Sequence, residues 1–158
     1  MIKRILALAI VLTTVVVFAG YGCSKQSLGG LKETPASDFK YNYNASINGI
    51  EITEYIGFST KVHIPEKIEG EPVVKIGGGA FKGSGITEVY IPNTVTYIGN
   101  YTFYQCTKLT NITIPDSVTW LGGYAVSSYT ELTYKGDKYD LSGQESINAL
   151  YRAINGEQ

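Results

Sequence analysis

The sequence predicts a β-rich solenoid of about three to four short coils, with a β-hairpin over its first coil and an α-helix over its last. Three observations carry this fold class. VYIPNTVTYIGNYTF recurs as ITIPDSVTWLGGYAV, so residues 89–103 and 112–126 are two copies of one unit. An earlier copy, KVHIPEKIEGEPVVKIGGGAF, and a degraded last one, ELTYKGDKY, extend the series on either side. Composition agrees, since 17% charged residues beside 18 Gly and 13 Tyr suit turns and strands better than long surface helices.

The copies define columns. Val89, Ile91, Val95, Ile98 and Phe103 correspond to Ile112, Ile114, Val118, Leu121 and Val126, and the earlier copy supplies Val62, Ile64, Ile76 and Phe81. A period of 22 to 23 residues is that of stacked coils sharing one core. With about five inward side chains at roughly 1.5–3 kcal/mol each, a lone coil does not offset its ordering entropy, so neighbours fold together. In each coil V-x-I-P reads as a short strand with alternating faces, ended by proline. V-T-x-I-G reads as an extended segment on the opposite wall, closed by a glycine turn. Phe81 and Phe103 are expected to plug the end of the core, and Val126, less bulky, marks where the stack ends.

The phrase IPNTVTYIGNYTFYQCTKLTNITIP resembles the repeat of the BspA-like leucine-rich-repeat family, found on surface proteins of oral and gut bacteria. Cys106 stands at the common repeat cysteine of that family. The resemblance covers Lys61 to Gly136. It departs at Gly83-Ser84-Gly85, which replace the cysteine loop in a copy one residue shorter, and at Val126. It implies a leucine-rich-repeat stack on a surface lipoprotein or adhesin-type protein that contacts host or neighbouring-cell proteins.

The flanks read differently. Lys3 and Arg4 precede an apolar run from Ile5 to Ala19 and small residues at Gly20 and Gly22, so 1–22 is expected to be a signal peptide. Cys23 then stands where bacterial lipoproteins receive lipid, and residues 23–37 form a Ser/Lys/Gln/Gly tether. Tyr21 and Gly20 depart from a lipobox, and cleavage after Ala19 is the alternative. Residues 38–60 are assigned to the capping hairpin, with Asn48-Gly49 as the turn inside Tyr43–Tyr55. The solenoid occupies 61–136. Residues 137–158 form a helical cap, with Ser142 and Glu145 at capping-box spacing, an apolar face of Ile147, Leu150, Tyr151 and Ile154, and Gly156 as the stop.

Charge and chemistry narrow the function classes. The formal charge of −1 becomes −3 once Lys3 and Arg4 are removed, which gives no electrostatic case for nucleic acid. His63, the only histidine, is expected on the outward face as a solvated side chain. Cys106 reads as a buried thiol rather than a nucleophile or a disulfide partner of Cys23. Asp137 and Asp140 read as an acidic turn, and Gly77-Gly78-Gly79 lead into Phe81 rather than a phosphate-cradling helix. No enzyme activity, cofactor or metal is expected. What varies between copies is the outward grid, whose rows lie about 4.8 Å apart. One column is His63, Tyr90, Thr113 and Thr133, and its neighbour is Lys61, Glu88, Asn111 and Glu131. On the far wall Lys75, Tyr97 and Trp120 align. These are the candidate partner-binding residues, with decoration of a soluble sheet as the competing reading. The function expected is a non-catalytic binding or adhesion module that recognises a protein partner, from the host or the envelope. It would be exported and held by lipid at Cys23 on the cell surface or a periplasm-facing membrane. The alternatives are an assembly role in the envelope and a glycan-binding accessory using the aromatic column.

Overall fold

The computed structural model describes residues 32–156. The expected leader at 1–22, Cys23 and the tether up to residue 31 lie outside the described residues, as do the last two. The chain is fixed earlier than the tether's expected end at residue 37. Buried Thr34 donates its N–H to the His63 carbonyl at 2.9 Å, and its Oγ1 accepts from the His63 N–H at 2.9 Å. The His63 side chain, expected to be solvated, is half-buried and packs edge-on with Tyr90.

A 3-10 turn, Ala36–Asp38, leads into β1 (Phe39–Asn44) and β2 (Gly49–Tyr55), an antiparallel hairpin that starts four residues before Tyr43. Its connection is residues 45–48, not the two-residue Asn48-Gly49 turn, because Asn44 pairs with Gly49. The Asn44 side chain starts that loop by accepting from Ser46 N–H at 3.0 Å, and Asn48 closes it at φ 49°. Gly49 is instead a packing glycine: a Cβ there would strike the Val74 side chain and lie 2.7 Å from the Pro72 carbonyl oxygen.

The first coil holds β3 (Lys61–His63), β4 (Lys67–Ile68) and β5 (Glu71–Ile76). Its extra residues around EGEP form a small hairpin of β4 and β5 whose two-residue turn, Glu69 and Gly70, has φ 55° and 88°. The second coil holds β6 (Glu88–Tyr90) and β7 (Tyr97–Ile98), and the third β8 (Asn111–Ile114) and β9 (Trp120–Leu121). After these, β10 (Glu131–Tyr134) turns back through Lys135 and Gly136, φ 51° and 85°, into β11 (Asp137–Asp140). That strand opens a region expected to be helical. The last described element is α1 (Gln144–Asn155).

One wall is a single sheet in the order β1-β2-β5-β7-β9, with β4 paired to β5. The hairpin therefore covers the stack by continuing its sheet, β2 lying parallel to β5. The other wall comes in two ladders, β3-β6 and β8-β10-β11. Between the walls the predicted inward columns are buried, among them Ile64, Ile76, Val95, Ile98, Ile114 and Val118, with Val89 as a half-buried exception. Aromatic rings run along one end of the core: Tyr55 on Phe81 at 5.2 Å and Phe81 on Phe103 at 5.2 Å. Val126 takes the next place, bridged to Phe103.

Leu150 and Ile154 of α1 are buried and Ile147 and Tyr151 half-buried, the face read from the sequence. The capping box does not form. The N-cap is Gly143, so Ser142 lies one residue too early and Glu145 is the second helical residue, not the third. The Ser142 N–H goes to Asp140 Oδ1 at 2.9 Å, and Ser142 holds that carboxyl below its ordinary value of 3.8.

Candidate functional site

The V-x-I-P strands place their middle and flanking residues outward because the alternating aliphatic residues are drawn into the core. Pairing is in register: Lys61 opposite Glu88 and His63 opposite Tyr90 in one ladder, Asn111 opposite Glu131 and Thr113 opposite Thr133 in the other. The expected four-membered columns are thus two halves, since no ladder joins β6 to β8. A half-open groove of about 870 Å³ lies across both halves. Lys61, His63, Glu88, Tyr90, Asn111 and Thr113 all line it.

Two predicted members fall outside the groove. Glu131 pairs with Lys138 at 2.7 Å, and Thr133 lies opposite Lys138, because β11 occupies that side. Within the groove His63 meets Tyr90 edge-to-face at 4.3 Å and Lys61 bonds Glu88 at 2.7 Å, a solvent-exposed pair of small energetic value. Tyr90 is 47% exposed and is the largest apolar surface offered there. Lys32, Asn93, Asp116, Ser117 and Lys135 also line it and were not singled out from the sequence. Asn93 and Asp116 each follow the strand-ending proline, so that column was readable. The cations and carboxylates together give the groove both signs of charge.

On the far wall Lys75, Tyr97 and Trp120 align as expected, with Glu51 of the hairpin as an added first member. Lys75 Nζ lies 3.1 Å from Glu51 and 4.7 Å over the Tyr97 ring, and Tyr97 stacks on Trp120 at 6.0 Å and 11°. Each member thus touches the next, which leaves less surface for a ligand than separate side chains would.

Cys106 is fully buried. Its thiol donates to the Phe81 carbonyl at 3.0 Å and lies 3.4 Å from Ser84 Oγ, the residue at the equivalent place in the preceding coil. Burial pushes the thiol pKa up, only partly opposed by the hydrogen bonds to Ser84 and Gly83, so the group is a poor nucleophile. Among the described residues no three His, Cys, Asp or Glu side chains come together as a metal site, and no helix is long and apolar enough to cross a membrane.

Residues 74–135 match a family described as "BspA type Leucine rich repeat region (6 copies)". Over that span the solenoid matches a BspA-type leucine-rich-repeat region. The first coil, up to Val73, lies outside the matched span of this region. A leucine-rich repeat protein of T. pallidum is 25% identical with a TM-score of 0.50, the match covering 66% of this chain and 65% of that one. The chain thus spans just under two thirds of that protein's length. A leucine-rich-repeat protein from Bacteroides ovatus is 21% identical with a TM-score of 0.37, covering 65% of this chain and 40% of that one. No curated protein matches. The match and the likeness to a leucine-rich repeat protein support a repeat-based binding module.

Proposed function

We propose that the protein is an exported, non-catalytic adhesion module that recognises a protein partner through the groove on its β3-β6-β8 face. The carrying observation is that six of the outward residues that change between copies line one groove of about 870 Å³, while the inward residues stay aliphatic. A solenoid achieves recognition in this way, with variable side chains on an invariant frame. Tyr90 is the anchor, since half-exposed aromatics dominate protein interfaces, and the mixed charges at the rim select the partner. Lipid at Cys23 would hold several copies on one membrane, and the resulting avidity would strengthen binding through a short three-strand face.

The test is capture from host extracellular matrix and from the producing cell's envelope. Tyr90→Ala with His63→Ala is expected to lower capture at least tenfold, while Glu145→Lys with Arg152→Glu on the exposed side of α1 leaves it unchanged. The reverse pattern would move recognition to the helix and favour the envelope-assembly reading. Metabolic labelling with a palmitate analogue, compared with Cys23→Ala, tests the anchor, and an unlabelled wild type refutes it.

A further inference from the structure

The repeat breaks its own rule twice at one place, and a cavity results. Val126 stands where the two preceding coils have Phe81 and Phe103. In addition, seven residues, 104–110, separate Phe103 from Asn111, whereas four, 127–130, separate their register partners Val126 and Glu131. A smaller side chain and a shorter loop leave space that α1 roofs over but does not fill. The cavity has a volume of about 550 Å³, within the range of small-molecule sites. Its wall includes the buried Val126, Leu132, Leu141 and Leu150.

The lip is aromatic. Tyr124, 67% exposed, borders the cavity and stacks on Tyr101 at 5.5 Å and 7°. Both hold left-handed backbone, φ 53° and 59°, at the position where the first coil has Gly79 at φ 69°. A bulky side chain adopts that conformation only at a cost, and Tyr124 recovers little of it through burial. Tyr129, 53% exposed, lines the same cavity.

The lining also selects a ligand chemistry. It contains no charged side chain. Three of its polar side chains are tied into the fold: Gln144 Nε2 donates to Asn148 Oδ1 at 2.9 Å, Tyr151 donates to the Gly122 carbonyl at 2.8 Å, and Ser127 Oγ accepts from the Gln105 N–H at 3.0 Å. Against the buried floor of Val126, Leu132, Leu141 and Leu150 a hydroxyl-rich ligand such as a saccharide would leave its own groups unpaired. A flat apolar ring would not, and it would meet phenol faces at the lip in the geometries aromatic pairs prefer. A dry cavity of about 150 Å³ takes benzene, so this one admits a larger ring system.

We propose that the cavity between the last coil and α1 binds a neutral aromatic ring, either a free small molecule or the side chain of a peptide. The site is separate from the strand-face groove and does not depend on it.

The test is methyl NMR of the full chain titrated with indole, N-acetyl-tyrosinamide, cyclohexanol and maltose. Indole is expected to saturate with a Kd on the order of 0.1–1 mM, moving the methyls of Val126, Leu132, Leu141 and Leu150. Comparable binding of N-acetyl-tyrosinamide assigns the ring to a peptide, and binding of indole alone assigns it to a free aromatic. Cyclohexanol is expected to bind at least tenfold more weakly than indole. Val126→Phe, which fills the cavity, and Ser128→Trp, which blocks its exposed rim without touching the core, are each expected to weaken indole at least tenfold. The proposal is overturned by absence of saturable shifts at these methyls, by tighter binding of maltose or cyclohexanol, or by indole binding unchanged in Ser128→Trp.

Discussion

Asn155 closes on Leu121 with both ends of its amide: Oδ1 accepts from the Leu121 N–H at 2.7 Å and Nδ2 donates to the Leu121 carbonyl at 3.0 Å. β9 is the last strand of its sheet, so these are the two backbone groups that a further coil would have paired. One side chain at the end of α1 does the work of that missing strand, and the open edge of the repeat is blunted where it would otherwise template another chain.

Asn155→Leu therefore leaves a donor and an acceptor at the buried Leu121 without partners. Urea unfolding is expected to show a loss of about 1–3 kcal/mol. Hydrogen exchange at the Leu121 amide should rise more than at Ile98, one strand deeper. Equal protection at Leu121 in both proteins would show that the amide is not what seals the edge.

Close stacking of the coils makes a second prediction. A Cβ on Gly99 would lie 2.5 Å from Gly78 N and 2.9 Å from Gly77 C, both backbone atoms that cannot move aside. Gly85, by contrast, has nothing within 4 Å of its would-be Cβ and no positive φ. Gly99→Ala is expected to cost about 2–3 kcal/mol, and Gly85→Ala to be neutral or stabilising by about 0.4–1 kcal/mol. Denaturation midpoints in the opposite order would refute the packing argument.

Cys106 gives the pH dependence. Burial raises its thiol above the ordinary 9.0, so the native state favours the protonated form more than the unfolded chain does. That contribution is full below the ordinary value and is lost as pH rises through the raised native value. Stability is expected to begin falling as pH passes the ordinary thiol value of 9.0, ahead of the contributions of Tyr55 and Tyr151, which are raised from an ordinary value of 10.0. Cys106→Ser keeps a donor for the Phe81 carbonyl and copies Ser84 of the preceding coil, so it is expected to cost about 1 kcal/mol and to remove that slope. A slope unchanged in Cys106→Ser would assign it elsewhere.

The inward columns were legible because three copies in phase show the same aliphatic positions, and alternation then places the outward residues. The far-wall column from Lys75 to Trp120 was legible for the same reason. Its partner Glu51 was not, because it comes from outside the repeat and reaches Lys75 through the parallel pairing of β2 and β5. The break between Tyr90 and Thr113 was hidden as well. Side-chain period sets which way a residue faces, but not whether two neighbouring backbones approach closely enough to bond. The role of Asn155 was masked by its position just before Gly156, where a polar residue reads as an ordinary helix end.

Glu51 and Lys75 supply the last prediction. Their side chains are 18% and 25% exposed, against 53% and 61% for Glu54 and Lys40, the corresponding pair within the hairpin. Less solvent screening strengthens the inner pair, and Lys75 also lies over Tyr97, which holds the ammonium in place. Both pairs join strands that are already hydrogen-bonded, but Glu51 and Lys75 link the hairpin to the first coil, whereas Lys40 and Glu54 lie within the hairpin. A double-mutant cycle with Glu51→Gln and Lys75→Met is expected to give a coupling of about 1 kcal/mol, and one with Lys40→Met and Glu54→Gln about 0–0.5 kcal/mol. Raising the salt concentration should erase the outer coupling first. Equal couplings at low salt would mean that the far-wall column is surface decoration rather than a tie between cap and solenoid.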